Sequence, residues 1–141
     1  MAHLLGAEAL HLEVPTKVVF DSVTLGVAEG DRIGIVGRNG DGKSSLLMML
    51  AGRRVPDSGQ VTVRSGIRVG VLDQADAFPP GQTVGHAIVG EAPEHEWAGD
   101  PRVRDIIAGL VSDLAWDAPV ASLSGGQQRR VALARVLSGD W

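Results

Sequence analysis

The sequence predicts an α/β domain organised around a glycine-rich loop that joins a buried strand to a helix. Three observations predict it. The run Gly37-Arg38-Asn39-Gly40-Asp41-Gly42-Lys43-Ser44 fills every fixed position of the phosphate-loop pattern G-x-x-x-x-G-K-[ST]. A β-rich run, Arg32 to Val36, precedes it, and a helix-forming run, Ser45 to Ala51, follows it with Gly52 placed as the helix C-cap. Finally, 141 residues with 44% hydrophobic content make one ordinary domain with enough apolar mass for a core.

The elements follow in order. Leu10, Leu12 and Val14 share one face of a first strand, and Val23, Leu25 and Val27 share one face of a second. Ala28-Glu29-Gly30-Asp31 is a turn feeding the strand at 32–36. In the loop, glycines let the backbone curl so that its N–H groups point inward at phosphates. Lys43 can reach the β/γ-phosphates, and the Ser44 hydroxyl can take a site on Mg²⁺. Pro56-Asp57-Ser58-Gly59 marks the next turn, and strands are expected at 61–63 and 68–72.

Beyond residue 75 the character becomes helical. Phe78-Pro79-Pro80-Gly81 reads as a loop, Thr83 caps a short helix running to Gly90, and 91–99 reads as irregular. Asp100-Pro101 gives an N-cap with proline at the first helical position. Val103, Ile106, Ile107 and Leu110 then form one apolar stripe, expected to pack against a neighbouring element. A last helix is expected from Gly126 to Leu137.

Composition narrows the function classes. A net charge of −4 argues against a general nucleic-acid-coating role. No cysteine is present, which excludes disulfides and thiolate metal sites. No apolar run approaches the ~18 residues of a bilayer span, and no signal-like segment opens the chain. A soluble, cytoplasmic chain is expected.

A second motif, Leu123-Ser124-Gly125-Gly126-Gln127, has its serine 81 residues after Lys43 and lies ahead of the helix-forming Gln128-Arg129-Arg130-Val131-Ala132-Leu133-Ala134-Arg135. A serine and two glycines at a helix start offer free N–H groups and the positive end of the helix dipole to an anion. Two anion-directed surfaces in this order resemble the ATP-binding cassette (ABC) family. The 37–44 loop resembles its Walker A motif, Leu123 to Gln127 its signature motif, and Gln74, after Val71-Leu72-Asp73, its Q-loop glutamine.

The resemblance implies a P-loop NTPase core of buried parallel strands, with an antiparallel β subdomain and a helical subdomain. It divides the chain into a strand-rich part at 1–74, a helical part at 75–122, and the signature with its helix at 123–141. It implies ATP and Mg²⁺ as cofactors. Residues Gly37, Arg38, Asn39, Gly40, Asp41, Gly42, Lys43, Ser44 and Ser45 hold ATP, and Ser44 and Gln74 address the metal. Leu123, Ser124, Gly125, Gly126 and Gln127 act in trans, on a nucleotide held by a second cassette, so that two cassettes sandwich ATP.

Gly37-Arg38-Asn39-Gly40 and the Gln127 to Arg135 helix look most like the F subfamily, whose tandem cassettes act on the ribosome. The alternatives are the energy-coupling ATP-binding subunit of a membrane transporter and an inactive, truncated nucleotide-binding fragment. Two departures stand out. The family stacks adenine on an aromatic residue where this chain has Val14-Pro15, and Phe20, the nearest aromatic, is expected in the core. The family's next elements, a strand ending in aspartate, a catalytic glutamate and a histidine, have no counterpart up to Gly139-Asp140-Trp141. The expectation is therefore a cassette incomplete at its C-terminus, with no catalytic residue within these 141 residues and no ATP hydrolysis by them alone.

Overall fold

The computed structural model describes residues 3–73 and 77–139 and divides into two compact units, Met1–Val69 and Gly70–Trp141. In the first unit, β1 (Leu5–Val14) and β2 (Lys17–Val27) form an antiparallel hairpin. Its turn is the pair Pro15 and Thr16, so that Val14 faces Lys17 across the strands. β3 (Ser58–Val63) pairs antiparallel with the other edge of β1, giving the order β2-β1-β3.

A bulge corrects the phase of β1. Ala9 has a φ of 49°, and the register with β2 shifts between Ala7 and Leu10. One extra residue resets the two-residue alternation, so Ala7, Leu10 and Leu12 all enter one core. Val14 is half-buried and stands outside that cluster.

Helix α1 (Lys43–Leu50) lays Leu46 and Met49, three residues apart, into the same core. Each such side chain contributes about 1.5–3 kcal/mol when fully buried. The helix ends one residue before the expected cap, at Ala51. The Gly52 and Arg53 N–H groups donate back to the Met49 and Met48 carbonyls at 3.0 and 2.8 Å, the paired closure that satisfies the last free carbonyls.

Two expected strands do not form among the described residues, at 32–36 and at 68–72. Extended chain becomes sheet only when a neighbour completes its hydrogen-bond ladder, and neither run pairs with a strand here. Ile35 packs on the core, but Ile33 is 57% and Val36 94% exposed. For the same reason the parallel pairing expected by resemblance is absent among the described residues: each strand pair of the sheet is antiparallel.

The second unit is helical: α2 (Val84–Val89), α3 (Glu94–Trp97), α4 (Pro101–Leu110), a 3₁₀ turn at Val120–Ser122, and α5 (Gly125–Leu137). Thr83 and Asp100 cap α2 and α4 as expected, accepting from the His86 and Arg102 N–H groups at 3.2 and 2.9 Å. Val103 is buried, and Ile106, Ile107 and Leu110 pack against the core of Val84, Ile88, Val111, Val120 and Val131. The stripe is thus a packing face.

The one-turn helix α3 falls where irregular chain was expected. Its Trp97 stacks on Trp116 with ring centroids 4.9 Å apart, a contact from a distant segment that local sequence does not announce. No helix among the described residues is long and apolar enough to cross a membrane.

Candidate phosphate-binding site

The loop from Gly37 to Gly42 belongs to the first unit and delivers the chain into α1. Gly40 and Gly42 take φ values of +87° and +93°. Gly42 has a second constraint, because a Cβ there would lie 2.3 Å from Val19 Cγ1 and 2.9 Å from Phe20 Cζ. The loop is therefore pressed onto the start of β2, and only glycine meets both demands.

Three side chains bond to the loop. Asp41 Oδ2 accepts from the Arg38 N–H at 2.7 Å. Lys43 Nζ folds back over the loop and donates to the Gly37 and Arg38 carbonyls at 2.6 and 2.9 Å. Lys17 Nζ, at the start of β2, donates to the Gly40 carbonyl at 2.8 Å. The sequence reading did not single out Lys17; its position just past a two-residue hairpin turn is what brings it here. Ser45 Oγ accepts from Arg54 Nη1 at 2.9 Å.

The start of α1 is left open. Its N-cap, Gly42, supplies no side-chain hydrogen bond. Among the described residues the N–H groups of Lys43, Ser44 and Ser45 find no hydrogen-bond acceptor, and the exposed Ser44 hydroxyl has no partner. Free helical N–H groups carry the positive end of the helix dipole. With a lysine ammonium beside them, they suit a polyanion.

The second expected anion surface belongs to the second unit and is built differently. Ser124 is the N-cap of α5: its Oγ accepts from the Gln127 N–H at 3.2 Å, and Gln127 Oε1 accepts from the Ser124 N–H at 2.9 Å. This reciprocal box uses the serine oxygen as an acceptor and leaves its O–H free to donate outward. A Cβ at Gly125 or Gly126 would meet nothing within 4 Å, so no neighbour among the described residues demands glycine at either place. Leu123 is half-buried against the helical core.

Further along α5, Arg130 makes a two-pronged pair with Asp113 at 2.7 and 3.0 Å and donates to the Leu110 carbonyl. The guanidinium's hydrogen bonds hold the Asp113 carboxyl below the ordinary carboxylate range. Gln74 lies outside the described residues; the preceding Asp73 carbonyl accepts from the Arg129 guanidinium on α5. Phe20 is half-buried and packs against the first unit's core, beneath Gly42.

The sequence pattern of the ABC transporter family matches residues 20–140. The chain is 32% identical over 171 aligned residues to the uncharacterized ABC transporter ATP-binding protein YfmR of Bacillus subtilis (strain 168), covering 95% of this chain and 27% of that protein. It is 30% identical to the energy-dependent translational throttle protein EttA of Mycobacterium tuberculosis (strain ATCC 25618 / H37Rv), covering 86% of this chain and 28% of that one. The chain thus spans under a third of either relative's length. A solved ATP-binding subunit of an ABC transporter superposes with a TM-score of 0.76 at 18% identity, over 96% of this chain and 62% of that one, a likeness of fold. With the family pattern covering both the loop and the serine–glycine helix start, this chain belongs to the ABC transporter family of ATP-binding domains.

Proposed function

We propose that this chain binds ATP with Mg²⁺ through the loop at 37–45. The observation that carries the reading is the open start of α1, with three N–H groups unpaired among the described residues beside an ammonium held only by carbonyls. On this reading the backbone from Gly37 to Gly42 surrounds the phosphates, and Lys43 exchanges its two carbonyls for phosphate oxygens. The Ser44 hydroxyl and the Gln74 amide hold Mg²⁺, whose charge offsets that of the phosphates. Ser124, Gly125 and Gly126, flanked by Leu123 and Gln127, address the nucleotide of a second cassette. The exposed serine and the bare glycine surface support that role, since nothing among the described residues explains them.

For the whole protein we propose a cytoplasmic ABC-F ATPase that acts on the ribosome. The likeness to EttA, named as a translational throttle protein, supports this reading, as do the Gly37 to Gly40 and Gln127 to Arg135 sequences. The second reading is the energy-coupling subunit of a membrane transporter, favoured by the family's description and by YfmR's name. Ribosome co-sedimentation of the whole protein with ATP supports the first. Co-purification with a membrane-spanning partner and no ribosome binding selects the second.

The nucleotide site itself is tested by Lys43→Ala. Removing a charge-assisted bond to phosphate weakens ATP binding by at least about tenfold to a hundredfold. Affinity retained within a factor of two, measured by calorimetric titration, sinks the assignment.

A further inference from the structure

Lysine is scarce in this chain. It has two, Lys17 and Lys43, against eleven arginines. Both lysines end on the same loop. Lys43 reaches the Gly37 and Arg38 carbonyls from the first residue of α1, and Lys17 reaches the Gly40 carbonyl, 2.8 Å away, from the first residue of β2. Neither ammonium pairs with a carboxylate among the described residues, whereas Arg102 and Arg130 do. Each ammonium is bonded to neutral carbonyls, with no counter-charge among the described residues to offset it. Lysine is also the side chain that delivers charge as a compact point, with three rotatable donors.

A purely mechanical role for Lys17 accounts poorly for this. Lys17 is exposed, and a hydrogen bond from an exposed side chain adds little net stability, because water offers the same partners. Holding a long lysine side chain in one rotamer costs entropy of comparable size. As a brace the contact comes out near zero or unfavourable, so what the arrangement achieves is the placement of a charge. The tight Pro15-Thr16 turn fixes the base of the side chain, since Lys17 pairs with Val14 at the closed end of the hairpin.

We propose that Lys17 is a second phosphate cation of this site, supplied by the β1–β2 hairpin from outside the loop, which gives up the Gly40 carbonyl for an oxygen of the nucleotide's phosphate chain. The proposal rests on the phosphate-loop reading above and adds to it a residue that the loop pattern does not contain. Because the contact is to phosphate and not to the base, it strengthens the binding of ATP and GTP alike and does nothing for adenosine.

The scarcity of lysine makes the test clean. The chain is treated with an amine-acetylating reagent alone, with Mg²⁺-ATP, and with adenosine, and acetylation at Lys17 and Lys43 is read by peptide mass spectrometry. Both lysines are expected to be protected several-fold by Mg²⁺-ATP and neither by adenosine. In parallel, Lys17→Ala weakens ATP binding about tenfold or more and flattens its salt dependence, Lys17→Arg retains most of the affinity, and the melting temperature of each variant stays unchanged. Protection of Lys43 with Lys17 still fully reactive overturns the proposal and leaves the phosphate-loop reading standing. If neither lysine is protected, both fail. Equal weakening by Lys17→Ala and Lys17→Arg, with a lowered melting temperature, reduces Lys17 to a brace and also refutes the proposal.

Discussion

Gly42→Ala is the sharpest perturbation of this fold, because two separate costs meet at one atom. Alanine at a φ of 93° and ψ of 16° carries the left-handed penalty of about 1–2 kcal/mol. Its Cβ also arrives 2.3 Å from Val19 Cγ1 and 2.9 Å from Phe20 Cζ, both half-buried and packed on the core. Such overpacking costs about 1–3 kcal/mol. The sum, about 2–5 kcal/mol, is a large share of a small domain's stability. Gly40 supplies the internal control, since its φ is +87° yet a Cβ there meets nothing within 4 Å. Gly40→Ala should cost only the first penalty, about 1–2 kcal/mol.

The assay is urea unfolding of both variants and of Gly42→Ala in a Val19→Ala background. With a mid-range slope of about 2 kcal/mol per molar, Gly42→Ala lowers the midpoint by about 1 to 2.5 M. Removing the Val19 methyl groups should recover part of the loss, as a favourable coupling in the double-mutant cycle. If Gly40→Ala and Gly42→Ala cost the same, or if Val19→Ala adds its full cost in the Gly42→Ala background, the loop is not pressed against β2 and the reasoning is wrong.

Other expectations concern α5. Ser124→Ala removes the acceptor of the Gln127 N–H and should cost about 0.5–2 kcal/mol in chemical unfolding, while ATP titration of the same chain stays unchanged. A loss of ATP affinity would show that Ser124 does not act in trans. Ser124→Arg should leave ATP binding intact and prevent two cassettes from closing on nucleotide in the whole protein, read by size-exclusion or scattering with a non-hydrolysed analogue. The Arg130–Asp113 pair sets a pH dependence. Arg130 holds the Asp113 carboxyl low, so its contribution is complete above the unfolded-state value and is lost as pH falls through the folded-state value, below the ordinary carboxylate range. Asp113→Asn should flatten that acid limb of the stability profile; superimposable profiles for variant and parent would refute the assignment.

What the sequence determined by itself is the chemistry that short-range rules govern. A cap needs an oxygen at one place and an N–H two or three residues on, so Thr83 and Asp100 were legible as helix starts. Proline at the first turn and an apolar stripe at three- and four-residue spacing placed α4. The order of Gly37 to Ser44 and Leu123 to Gln127 points to the family by itself. What only the tertiary structure decided are relations between distant segments. Arg32 to Val36 has the composition of a strand, but a strand is a property of two chains' hydrogen bonds, and this run pairs with no strand among the described residues. The bulge at Ala9, which lets Ala7 and Leu10 face one core, answers the packing of neighbouring strands and leaves no local signature. Trp97 becomes helical where it meets Trp116, nineteen residues away. Lys17 is an ordinary strand residue in the sequence, and it joins the phosphate loop only because the hairpin turn carries its ammonium to the Gly40 carbonyl.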